Sequence, residues 1–91
     1  MVETFSIIVD GIVQGVYYRQ STKAKATELN ITGEVKNKKD GSVQIIATGT
    51  TTQLKKLIEW CSKGPERAIV TNVKVEKIPL QIYSGFNIVK D

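Results

Sequence analysis

The dipeptide Asp40-Gly41 stands between two short segments of alternating apolar residues, Val35 on one side and Val43, Ile45 and Ala47 on the other. Asp-Gly accommodates the positive φ angles of a tight reversal, so Lys38-Lys39-Asp40-Gly41 reads as the turn of a β-hairpin. The chain has 91 residues, 41% of them hydrophobic, which is too little surface for two independent cores. Whatever covers this hairpin must therefore come from the same single domain, expected to span residues 1–91.

The flanking segments supply candidates on both sides. Phe5, Ile7 and Val9 alternate with Ser6, Ile8 and Asp10, a period of two that suits a strand covered on one face. Gly11 and Gly15 bracket a turn, after which Ser21 or Thr22 is expected to cap a helix with a narrow stripe of Thr22, Ala26 and Leu29. Asn30 tolerates the left-handed conformation that ends a helix, and Gly33 follows closely, so that helix should stop near Leu29. Beyond the hairpin, threonines 50 to 52 offer an N-cap for a clearer helix, with Leu54, Leu57, Ile58 and Cys61 at i, i+3, i+4 and i+7. Gly64-Pro65 stops it. Val70, Val73 and Val75 open a fourth strand that Pro79 ends, and Phe86, Ile88 and Val89 make a short last one. The order β-α-β-β-α-β with a short extra C-terminal strand predicts an α+β fold, a ferredoxin-like α/β sandwich whose mostly antiparallel sheet carries two helices on one face. That plan hosts enzymes, metallochaperones and RNA-binding modules alike, so it leaves function open.

Composition narrows the chemistry. A lone Cys61 excludes an internal disulfide and any multi-cysteine metal site, and its place on the apolar stripe marks it as core filler. The absence of histidine removes the usual general base near neutral pH and the commonest ligand for zinc, copper or non-haem iron. No cofactor and no metal are expected. A net charge of +4 favours anionic partners without choosing between a phosphorylated metabolite, a nucleic acid and a membrane surface. No apolar run approaches the ~20 residues of a membrane-spanning helix, and Met-Val-Glu-Thr carries acid where a secretory signal carries base. A cytoplasmic location is the expectation.

Residues 9 to 19, Val-Asp-Gly-Ile-Val-Gln-Gly-Val-Tyr-Tyr-Arg, run from a strand end through a glycine-bounded turn into a helix. Successive N–H groups in such a turn converge on one point, and the helix N-terminus adds partial positive charge there. Arg19 stands at the loop exit, where a planar guanidinium offers two parallel hydrogen bonds to phosphate oxygens. Taken by itself, a glycine-rich turn before a helix is a weak signal. The identities at Val9, Gly11, Val13, Gln14, Gly15, Val16 and Arg19, however, resemble the signature of the acylphosphatase family. A second block, Gly33, Val35, Asn37, Gly41, Val43 and Gly49, resembles the same family at matching spacing, as do Trp60, Gly64-Pro65, Val70, Val73, Gly85-Phe86 and Ile88.

The resemblance implies hydrolysis of carboxyl-phosphate bonds to carboxylate and inorganic phosphate. It assigns Arg19 and the loop residues Gln14, Gly15, Val16, Tyr17 and Tyr18 to phosphate binding, and Asn37 to holding the nucleophilic water. The implied partners are a small acyl phosphate and inorganic phosphate or another anion, with no nucleic acid or membrane, and the chain is expected to act as a monomer. Expelling a carboxylate needs little help from a general acid, so a histidine-free enzyme suffices for this leaving group. Two positions depart from the pattern. Tyr18 replaces the usual phenylalanine, and its hydroxyl needs a partner if buried. Glu34 replaces an aromatic residue, and a carboxylate near the pocket would repel a phosphate dianion whereas one facing solvent would do little.

Two other readings compete. A basic ferredoxin-like domain is also the plan of many RNA-binding proteins, but those display aromatic residues on the sheet, whereas these strands offer aliphatic and charged ones. A degenerate regulatory or carbamoyl-phosphate-handling relative, in which the fold binds a phosphate ligand without acting as a free-standing hydrolase, is the other. Lys36, Lys38 and Lys39 surround the hairpin turn as a solvated cluster, Glu28 and Glu59 read as exposed, and Trp60 lies off the helical stripe, either against the sheet edge or partly in solvent.

Overall fold

The computed structural model describes residues 1–90 and gives the element order β1 (Val2–Ile12), α1 (Tyr18–Glu28), β2 (Thr32–Asn37), β3 (Val43–Thr50), α2 (Thr51–Lys63), β4 (Ile69–Ile78) and β5 (Phe86–Ile88). One five-stranded sheet runs β4-β1-β3-β2-β5. β3 is antiparallel to β1 and β2, β4 is antiparallel to β1, and β5 is parallel to β2. β1, β2 and β5 thus run in one direction, and their carboxyl ends finish on one side of the sheet.

Register explains which face is buried. Ile7 pairs with Ile45, Val9 with Val43 and Val35 with Ile45, so the inward residues of three central strands form one apolar patch. All of them are fully buried. Both helices cover this face, α1 over β2 and β5, α2 over β1, β3 and β4. Leu54, Leu57 and Cys61 seal α2 to the sheet, and burying each leucine contributes about 1.5–3 kcal/mol. Thr4 is buried on the opposite side. Its hydroxyl and that of Thr48 lie 2.7 Å apart, and the Gln81 backbone bridges the pair by donating to Thr4 and accepting from Thr48. The segment after β4 is thereby tied across the sheet before the chain returns as β5.

Helix ends follow local chemistry in three of four cases. Thr50 caps α2 through a reciprocal box: its Oγ1 accepts from Gln53 N, and Gln53 Oε1 accepts from Thr50 N. Gly64 closes that helix, as expected. Asn30 adopts φ 60°, with Asn30 N donating to Thr27 O and Ile31 N to Ala26 O, the paired bonds that terminate α1. The start of α1 differs from the expectation of a Ser21 or Thr22 cap, since the helix begins at Tyr18. Tyr17 in the left-handed conformation turns the chain into the helix early, Ser21 N then bonds Tyr17 O, and the Thr22 hydroxyl bonds back to Tyr18 O. Propensity favoured the hydroxyl residues, but the backbone of the preceding loop decided the boundary.

Candidate active site

Because β1, β2 and β5 end together, the loop after β1, the last residue of β2 and the segment at the end of β5 meet around one cleft of about 570 Å³. Gly15, Tyr17, Tyr18, Arg19 and Asn37 line it, and so do Val13, Gln20, Ile88 and Lys90. Arg19 and Asn37 are thus brought to the same cavity from positions 18 residues apart in sequence. Among the described residues no aspartate, glutamate or histidine lines it.

The loop's conformation is set residue by residue. Gly15 sits at φ 76°, where a side chain is strained, and a Cβ there would meet no neighbouring atom. Backbone conformation, rather than crowding, is what position 15 demands of glycine. Tyr17 follows at φ 62°, an uncommon state for a residue with a side chain, and its ring is largely exposed at 70%. No side chain caps the first turn of α1. The helix start that opens on the cleft therefore keeps its partial positive charge unopposed by a capping side chain.

The side chains of Gln14 and Val16 do not line the cleft. The Gln14 amide donates from Nε2 to Lys38 O at 2.8 Å and to Ser42 O at 2.9 Å, clamping the loop to both ends of the hairpin turn. Inside that turn the Asp40 carboxylate accepts from the Ser42 hydroxyl and amide, bonds that hold its pKa below the usual carboxylate range. Asn37 is the last residue of β2 before this clamped turn, so its backbone is fixed relative to the loop. Val16 is half-buried and packs against the core. Asn37 Oδ1 is buried and has no hydrogen-bond partner among the described residues.

Tyr18 finds the partner its hydroxyl needs. The ring is buried at 1% exposure, and the hydroxyl donates to Cys61 O at 2.8 Å. In a continuing helix the Cys61 carbonyl would accept from the amide of residue 65, which is proline and has none. Tyr18 therefore satisfies an acceptor that Pro65 orphans, and burial pushes its phenol well above the ordinary range. The same burial pushes the Cys61 thiol up to about 12, in keeping with an inert core residue. The ring lies against Trp60, centroids 5.4 Å apart and planes tilted by 46°, and passes Gly64, where a Cβ would come within 2.7 Å of Cε2. Trp60 thus packs between the helices on Tyr18 rather than at the sheet edge. Tyr18→Phe should destabilise the fold by about 1–3 kcal/mol by leaving a buried carbonyl without its donor. That loss appears as a lowered denaturation midpoint at unchanged m, and an unaltered midpoint would remove the hydroxyl from the account.

Glu34 alternates with the buried Gly33 and Val35, so its side chain leaves β2 on the face away from the helices. There it raises the pKa of Tyr83, secondarily to the effect of burial. It is absent from the cleft lining, so the carboxylate does not oppose an anion there. Ile88 belongs to the family-like stretch that begins at Gly85-Phe86, whereas Lys90 carries no sequence motif. Only the parallel pairing of β5 with β2 brings them to the cleft, and the alternation and family likeness of Phe86 and Ile88 were the available hints.

Comparison with known proteins agrees with this geometry. The acylphosphatase family model matches residues 5–88. An acylphosphatase from Marinobacter nauticus is 51% identical over 78 residues, covering 86% of this chain and 85% of the relative. The structure of an acylphosphatase from Coxiella burnetii superposes with a TM-score of 0.94 at 40% identity, covering 97% of this chain and 93% of the other. That of acylphosphatase from Bacillus subtilis gives 0.92 at 36% identity, covering 98% and 99%. With the strand order, the glycine loop and the Arg19–Asn37 cleft already pointing the same way, these likenesses make the chain a member of the acylphosphatase family, hydrolases that act on acyl phosphates.

Proposed function

We propose that the cleft hydrolyses acyl phosphates without a metal ion, with the Gln14–Tyr18 loop amides and Arg19 binding the phosphoryl group and Asn37 orienting the attacking water. The observation that carries this reading is that Asn37, whose Oδ1 is buried and has no partner among the described residues, lines the same cleft as Arg19. An unsatisfied buried acceptor costs about 1–3 kcal/mol, and such a cost is retained where a ligand supplies the donor. A water molecule donating to that oxygen points its lone pair away from the amide, toward a phosphoryl group held by the loop. The carboxylate leaving group is a weak base, so the remaining work is positioning and electrostatic stabilisation, which fixed amides and a guanidinium provide.

Among the described residues no three His, Cys, Asp or Glu side chains are placed to hold a metal ion. Hydrolysis of benzoyl phosphate should therefore run at the same rate with and without excess chelator. Loss of activity in chelator, restored by a divalent ion, would replace this mechanism with a metal-assisted one.

The ligand expected beside the substrate is inorganic phosphate or a similar anion, and the working form is a monomer in the cytoplasm. No described helix is long and apolar enough to cross a membrane. A nucleic-acid role is disfavoured by the open sheet face, where Ser6, Ile8, Gln44, Ile46, Lys36 and Lys74 project and no strand offers an aromatic ring for base stacking. Labelled RNA should show no binding at protein concentrations that give full turnover.

A further inference from the structure

The geometry points to Lys90 as a second cation of the anion site, a binding residue for the phosphoryl group that the loop and asparagine motifs do not contain. The inference rests on the proposed reading of the cleft as a phosphoryl site. An acyl phosphate presents a dianion near neutral pH, and Arg19 supplies one positive charge. Of the described residues lining the cleft, Arg19 and Lys90 are the charged ones, and both are cationic. Lys90 thus adds a second cationic side chain to the cleft, from a segment distant from Arg19 in the chain.

Register explains how Lys90 arrives there. Gly33 pairs with Phe86, Glu34 with Asn87 and Val35 with Ile88 in parallel, and Val89 N donates to Val35 O at 2.9 Å, carrying the pairing past the end of β5. Counting two residues along both strands from Val35 and Ile88 brings Lys90 level with Asn37. Adjacent strands lie about 4.8 Å apart, well within the reach of a four-carbon side chain. The inward alternation that buries Phe86 and half-buries Ile88 assigns Lys90 to the helix-covered side, the side on which the cleft opens. Glu34, the carboxylate on the neighbouring strand, lies on the other face and does not neutralise it.

A flexible ammonium at the cleft rim binds ground state and transition state alike, so its signature is anion affinity and the salt dependence of that affinity. The test is competitive inhibition of benzoyl phosphate hydrolysis by inorganic phosphate in wild type, Lys90→Gln, Lys90→Arg and Lys55→Gln. Lys55 is an exposed position of α2 outside the cleft, so its variant removes the same net charge elsewhere. At low ionic strength Lys90→Gln should raise the inhibition constant about fivefold, with Lys90→Arg near wild type and Lys55→Gln unchanged. Added sodium chloride should weaken phosphate binding more steeply in wild type than in Lys90→Gln. An inhibition constant for Lys90→Gln equal to that of wild type, or a rise matched by Lys55→Gln, overturns the assignment. Arg19→Ala separates this from failure of the underlying reading: if it too leaves phosphate inhibition and turnover intact, the cleft is not the phosphoryl site at all.

Discussion

Arg19→Ala should hydrolyse benzoyl phosphate about 100- to 1000-fold more slowly than wild type, and Arg19→Lys should recover little of that loss. Arg19 is half-buried at the start of α1, beside Gly15, Tyr17 and Tyr18 in the cleft. On the proposed reading, a guanidinium there would present parallel donors to two phosphoryl oxygens as negative charge gathers on them, whereas an ammonium would offer a point charge on a different stem. Removing one such donor from a preorganised site costs on the order of 3–4 kcal/mol of transition-state stabilisation. Steady-state kinetics on wild type and both variants decide the matter. A lysine variant within a few-fold of wild type would mean that charge alone suffices and that the bidentate argument is wrong.

Asn37→Ala should lower turnover by about 100-fold while changing inhibition by inorganic phosphate little. Its Oδ1 is buried without a partner among the described residues, and the Gln14 clamp on Lys38 and Ser42 fixes the turn immediately after it. Truncation to alanine leaves the loop intact but takes away the group proposed to align the water. Near-attack geometry is lost, and misplacement by about 1 Å is enough for an effect of that size. The opposite pattern, weakened phosphate inhibition with turnover preserved, would make Asn37 a phosphate ligand. Since the two variants fail in different constants, measuring turnover and inhibition together separates the roles of the two residues.

The fold was legible wherever the chain's signal is local. Period-two runs at Phe5, Ile7 and Val9, the Asp40-Gly41 reversal, the Leu54–Cys61 stripe and the Thr50 cap each depend on residues within one or two turns of each other, and the structure keeps all of them. The start of α1 was not legible in that way. Ser21 and Thr22 look like caps in isolation, but Gly15 and a left-handed Tyr17 set the helix going three residues before Ser21, and an αL tyrosine has no sequence signature.

The site divides along the same line. Residues alone determined that a glycine-bounded turn feeds a helix, that Arg19 stands at its exit, and that histidine and clustered thiols take no part. Two blocks of identities marked Asn37 as its counterpart. The fold then decided that Gln14 spends its side chain on the hairpin, that the Tyr18 hydroxyl satisfies the carbonyl orphaned by Pro65, that Glu34 faces away, and that Ile88 and Lys90 complete the cleft. Each of these depends on pairing between segments distant in the chain, above all β5 lying parallel to β2. Propensity and periodicity act over a few residues, whereas strand register is settled by burying one continuous apolar face, so only the assembled sheet could determine who meets whom at its end.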